Sequence, residues 1–376
     1  DPWERQASMN FGKALDMTDS FLAVGAWKAF LGNPGDTGVH DAGAVYIYKK
    51  SNDSWSFYQK VLAPKRIAGS LFGETVEFSD DYLFVTSFRE PNEKGTGKVH
   101  IYQLKNDSWS YKQSLAPKDS VRHYGWNLSA DNGILAIGAP LDSIGVANDT
   151  VRDAGAVYIY EHEGEQWAYK GKLVGIRRRV GDRFGSFVKL AGTTLAVGSV
   201  GEDVWKGACY IYHKEFNNWV LKQRLQPSSL HANCYYGNDI DIVGDSLLIG
   251  AQGFNHKSGS TVLNNAGLAY FYTKEKGKWV LKTAIQSPKP VAEVDFGSEV
   301  FFSGKKLVIS AQGAGTNLHG DSLMVASGAT YFFGDANGDL GQVQKLISPR
   351  RNSTSYFGSS LAVRGKVLAV GAVLDY

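Results

Sequence analysis

A chain of 376 residues with 40 Lys and Arg against 37 Asp and Glu carries a net charge of only +3, which gives no drive toward nucleic acid or an anionic membrane surface. No apolar run approaches the roughly 20 residues of a membrane-spanning helix, so no membrane insertion by this segment is expected. The 43 glycines, 19 tyrosines and 19 phenylalanines point to many short strands joined by turns, in two ordinary domains or in one repeat array with a continuous core.

The chain opens on DPWERQ, which lacks the basic-then-apolar profile of a signal peptide. The first element is FGKALDMTDSFLAVGA, Phe11–Ala26. Its two β-rich runs flank a polar pair, Thr18-Asp19, and so predict a β-hairpin. Six further blocks repeat it without gaps, starting at Phe72, Tyr124, Phe184, Tyr236, Phe296 and Phe357, at spacings of 61, 52, 60, 52, 60 and 61 residues. Every block closes on Ala or Ser, which predicts a crowded site at that end.

After each hairpin comes a second signal. DAGAVYIY stands at Asp41–Tyr48 and again, unchanged, at Asp153–Tyr160, with relatives ending at Tyr102, Tyr212, Tyr272 and Phe333. Its alternation predicts a third strand at period 2, entered through a glycine that permits close approach or positive φ. Turns such as Asn52-Asp53-Ser54 then lead into a Trp-anchored run, WSFYQKVLAP (Trp55–Pro64) and WSYKQSLAP (Trp109–Pro117) among them, read as a fourth strand. Helical periodicity is nowhere convincing.

A four-stranded repeat of about 55 residues cannot bury both faces alone, so repeats must pack on one another. Radial packing gives a β-propeller, which leaves only short edges exposed. The expected fold is all-β: a seven-bladed propeller of four-stranded antiparallel blades starting near residues 11, 72, 124, 184, 236, 296 and 357. The first residue falls just after a fourth strand and Tyr376 just past the second strand of copy seven. The seventh blade is therefore expected to be incomplete, with the chain a piece of a longer polypeptide or with another domain or chain completing that blade.

The aromatic-Gly opening and the Gly-Ala close resemble FG-GAP repeats, the blades of the propeller in integrin α-subunit heads. The resemblance covers nearly the whole chain. It implies adhesion or extracellular recognition, secreted or at the cell surface. Many relatives carry calcium on an Asp-x-Asp-x-Asp-Gly-type loop in the first hairpin. Here those turns are short, as in Ala191-Gly192-Thr193, so no metal and no cofactor is expected. The one calcium-loop-like string, DANGD at Asp335–Asp339, reads as a plain turn.

Site candidates follow from loop length. The connections between second and third strands share a face with those entering the next blade, and four are long: 27–42, 140–154, 252–266 and 312–327. Length without geometric need marks a recognition surface. Its candidates are Trp27, Phe30, Asp36, His40, Arg89, Glu90, Asp142, Trp205, Asn255, His256, His319 and Asp321, with the aromatics Trp27 and Phe30 as anchors. Arg177-Arg178-Arg179 reads as a solvated loop. Sequons at Asn52, Asn106, Asn148 and Asn352 are glycosylation candidates, whereas Asn127 lies inside a first strand and reads as a chance match. Cys209 sits in an apolar strand slot, and a disulfide to Cys234 is geometrically allowed. Catalytic motifs are absent, and the chain is expected not to be an enzyme. The leading function is recognition of an extracellular protein or glycan through the loop face. A structural subunit of an extracellular assembly, and a polysaccharide-acting enzyme using channel carboxylates such as Asp239 and Asp241, are the alternatives.

Overall fold

Local alternation becomes register in the computed structural model, which describes residues 9–30, 38–92, 95–146, 149–315, 326–335, 340–349 and 354–374. In blade one, Phe11–Met17 pairs with Phe21–Ala26, which pairs with Ala44–Ser51, which pairs with Ser54–Val61, all antiparallel. Five more sheets repeat that order, two of them with an extra small hairpin inserted between second and third strands. The seventh opening forms a two-stranded sheet, Phe357–Arg364 with Val367–Ala372. The expected blade count is thus corrected: among the described residues six complete four-stranded blades are present rather than seven.

The first strands form a closed cycle around a channel. Each packs against the first strand of the following blade, and Phe357–Arg364 packs against both Phe296–Ser303 and Phe11–Met17. The core lies between blades, not within one. A single cluster joins Phe84 and Ile101 of blade two to Leu135 and Tyr158 of blade three, and the other seams are filled alike.

Each seam closes by the same backbone pattern. The residue before the aromatic-Gly pair is left-handed throughout, from Leu71 at φ 58° to Tyr356 at φ 51°. That twist aims successive N–H groups at the preceding blade: Leu71 and Phe72 donate to Asp41 and Ala42, and Arg183 and Phe184 donate to Asp153 and Ala154. The octapeptide's glycine is required here. A Cβ on Gly43 or Gly155 would stand 2.0 or 2.1 Å from the carbonyl oxygen of Phe72 or Phe184. The crowded closing site is equally real, because Ala26, Ser87, Ala139, Ser199, Ala251 and Ala311 are all buried.

Side chains also clamp neighbouring blades at their outer strands. Gln59 both donates to the Trp109 carbonyl and accepts from its N–H, at 2.8 and 2.9 Å. Gln113 grips Trp167, and Gln223 grips Trp279, in the same way.

Candidate functional site at the loop face and channel

The connections between second and third strands meet those entering the next blade through backbone bonds such as Gly69 N–H to His40 O and Asn233 N–H to Val204 O. One continuous loop face results. The long connections are partly ordered by hairpins, Ile144–Val146 with Asp149–Val151 and His256–Ser258 with Thr261–Leu263. The connection in blade two is an extension of its strands through Asn92 and from Gly95. That of blade four holds a single helical turn, Glu202–Trp205, with left-handed Asp203 and Val204.

The predicted contacts divide into three sets. The Lys28 ammonium lies 5.0 Å from the Trp27 ring centre, and burial raises the Glu74 carboxyl although Lys13, Arg89 and Lys28 all oppose the shift. Arg89 is exposed and packs on Phe88, and Phe88, His123 and Trp126 form one aromatic cluster in which the last two rings are stacked at 5.7 Å. Phe30 closes on His40 at 4.8 Å. Trp205 lies under the Arg183 guanidinium at 4.4 Å and against Tyr235 at 5.6 Å. His256 sits in the small hairpin of blade five, while Asn255 accepts from the Asn265 N–H.

The second set turns inward. Asp142 is 1% exposed and takes hydrogen bonds from the Tyr158 hydroxyl at 2.8 Å and the Lys172 ammonium at 2.7 Å. Glu90 is likewise buried, against His100 Nε2 at 2.7 Å and Lys98 at 2.8 Å. Burial opposes its charge, but His100 and Lys98 outweigh it and hold the carboxyl below its usual range. Glu202 completes the series with Tyr210 and Arg224. These acids accept hydrogen bonds from the third-strand Tyr and His side chains, and the buried Asp142 and Glu90 carboxylates tie their loops to those strands. Arg177 and Arg179 are not free either, since both pair with Asp203.

The third set, Asp36, His319, Asp321, the sequons Asn148 and Asn352, and the DANGD string beyond Asp335, lies outside the described residues. Asn52 and Asn106 occupy exposed, equivalent turns with φ 54° and 49°. The allowed disulfide is not formed. Cys209 and Cys234 are free, buried thiols in one core cluster, and burial raises both, Cys234 to about 11.

The channel holds what sequence reasoning only touched. Asp16, Glu77, Ser129 and Asp241 occupy the sixth position of their blocks, and each accepts the backbone N–H of the seventh-position residue in the next blade: Phe78 at 2.6 Å, Ala130 at 3.1 Å, Leu190 at 3.2 Å and Phe302 at 2.9 Å. Lys189 takes the same position in blade four and pairs with Asp241 at 3.2 Å. Burial would depress its ammonium, but Asp241, Glu77 and Asp16 push it above the usual lysine range. Burial raises Asp16 to about 6 and Glu77 and Asp239 to about 7, Glu77 being pushed further by Asp16 and Asp239 by Asp241. Perturbed carboxyls of this kind also mark sites of acid–base chemistry. Among the described residues no three His, Cys, Asp or Glu side chains gather as a metal-ligand set.

Fold and repeat together give a β-propeller that resembles the integrin-like FG-GAP type, and comparison with known proteins supports that likeness. The chain is 26% identical over 189 residues to mouse integrin alpha-11, and equally to the human protein. The match covers 43% of this chain and 15% of the integrin, so the chain spans a small part of the relatives it matches. No protein-family model matches the chain. Among solved structures, a putative 6-phosphogluconolactonase from Bacteroides uniformis superposes with a TM-score of 0.55 at 11% identity, covering 89% of this chain and 85% of that one. That likeness is one of fold alone, yet it corrects the expectation that the chain is not an enzyme. A protein described as an enzyme shares this architecture, and the architecture leaves catalysis open.

Proposed function

We propose that this chain is an adhesion-type recognition propeller, working at the cell surface or outside the cell, that meets an extracellular protein or glycan through its loop face. The observation that carries the reading is the gathering of aromatic and arginine side chains on that face, Trp126 and Arg89 among them exposed. Trp126 is 42% exposed beside Phe88, His123 and Arg89, and Arg183, Trp205 and Tyr235 form a second group. Aromatic and Arg residues supply most interface hot spots. The likeness to integrin alpha-11 orients the choice of partner toward surface proteins. Exposed turns at Asn52 and Asn106 suit glycans in such a compartment.

The test is adhesion of cultured cells to a surface coated with the protein. Replacing Trp126 and Arg89 together by Ala should cut adhesion by roughly tenfold or more, the scale of losing one or two hot spots. Adhesion unchanged in that double variant, with an unaltered unfolding midpoint, defeats the reading.

A further inference from the structure

A cleft of about 310 Å³ opens on the loop face at the seam between blades five and six, lined by Asn233, Tyr235, Gln252, Gly253, Asn265 and Asp295. Its size is at the lower end for small-ligand sites. The floor is rigid. Asn233, Tyr235 and Asp295 spend their backbone N–H groups on Val204, Trp205 and Asn265 of the preceding blade, and Gly253 donates to Cys234 O. Gly253 also lets its loop press on the ring, since a Cβ there would stand 2.7 Å from Tyr235 Cδ2 and 2.1 Å from Asn233 O. Trp205 packs against the Tyr235 ring and is itself covered by the Arg183 guanidinium.

The left-handed backbone of Asn233, Tyr235, Asn265 and Asp295 is not the argument, because equivalent residues at the other seams share it. The side chains are. The carboxamides of Asn233 and Gln252, the Tyr235 hydroxyl and the Asp295 carboxyl make no hydrogen bond with any described residue. Asn265 is fixed through its Nδ2, which donates to Glu293 Oε2 at 2.8 Å, so its Oδ1 remains to accept. Burial, then the nearby Glu293 charge, raises the Asp295 carboxyl to about 6. Among the described residues no cation lines the cleft. A ligand complementary to it offers several hydroxyl donors and acceptors, one ring face of C–H groups for Tyr235, and no negative charge.

We infer that this cleft binds one residue of a neutral saccharide, held by hydroxyl hydrogen bonds to Asp295, Gln252, Asn233 and Asn265 against the Tyr235 ring. This names the ligand class within the loop-face reading above, on which it rests. A single-chain protein segment fits less well, because the cleft offers no apolar pocket for a side-chain anchor.

Saturation-transfer NMR with the methyl glycosides of glucose, galactose, mannose and N-acetylglucosamine, and methyl glucuronide as the charged control, tests it on the full chain. At least one neutral glycoside should bind saturably and the glucuronide should not. Asp295→Ala and Gln252→Ala should each weaken binding by roughly tenfold to a hundredfold, the effect of losing a hydrogen bond to a charged or half-buried group. Gln252 supports nothing else in the fold through its side chain, so its variant stays decisive if Asp295→Ala lowers stability. The Trp126 and Arg89 double variant should bind glycosides normally, which separates the two tests. No saturable signal from any neutral glycoside, or equal binding in both cleft variants, overturns the inference even where adhesion persists.

Discussion

Polar residues in these loops were legible as polar but not as inward or outward. Asp142 and Arg89 look alike in sequence, each a charged residue just beyond a second strand. What separates them is the third strand. Tyr158 presents a buried hydroxyl that needs an acceptor, and Asp142 supplies it together with Lys172. His100 replaces that tyrosine in blade two and draws in Glu90 by the same logic. Such pairings depend on a partner strand some 16 residues away for Asp142, beyond any local pattern. Asp142→Ala should therefore lower stability by about 2–3 kcal/mol, because it orphans a buried hydroxyl and leaves an ammonium only partly hydrated. Urea denaturation reads the cost. An unchanged midpoint would return Asp142 to the set of surface contacts.

Strands were the most readable level, since a hairpin's register is fixed by its own turn and alternation. Seven aromatic-Gly openings gave seven hairpins in their expected places. The polar inner face of the first strands was harder to interpret. First strands are edge strands, and unpaired N–H groups on an edge are a liability. Asp16, Glu77, Ser129 and Asp241 answer it by capping the next blade's N–H groups from identical positions, a role visible only once the blades are arranged in a ring. The same arrangement makes stability respond to pH. Asp16, Glu77 and Asp239 hold their protons more tightly folded, up to about 6 or 7, than unfolded, near 4. The native state then binds more protons, so their contribution is most favourable below about pH 4 and is lost as pH rises toward 7. His123, depressed chiefly by burial, pulls the other way below its usual titration near 6.5. Lowered acids such as Glu90 act only below the usual carboxylate range. These raised carboxyls, with Asp295 and Glu74 shifted the same way, against one histidine should leave the urea midpoint higher at pH 5 than at pH 8, and Asp239→Asn should flatten the difference. A midpoint that rises from pH 5 to pH 8 would show the channel carboxyls to be ionised in the fold.

At the scale of the molecule, the six complete blades and the two-stranded sheet differ in one respect that matters. Each second strand in a complete blade is paired on both sides, and its centre is buried, as in Leu195–Val197 or Leu247–Ile249. Val367–Ala372 has the same composition, VLAVGA, but among the described residues pairs only with Phe357–Arg364, and Val367 to Val370 are half-exposed. The ring is nevertheless joined at this point: Ser360 Oγ donates to Gly12 O at 2.7 Å, and Arg364 pairs with Asp19 at 3.1 Å. The free edge is thus held in place and apolar, a template for strand addition. Amide exchange should be faster along Val367–Val370 than along Leu195–Val197, because an edge strand opens with less cost than a central one. A synthetic peptide of residues 41–64, which supplies the third and fourth strands of blade one, should slow that exchange and raise the thermal midpoint by mass action. The six internal copies define what should fit: a strand entered through a glycine opposite Phe11, followed by alternating apolar and tyrosine residues. Protection of Val367–Val370 in the chain alone, rising with protein concentration, would instead mean that a second copy occupies the edge, and uniform protection at every dilution would mean that the edge is already closed.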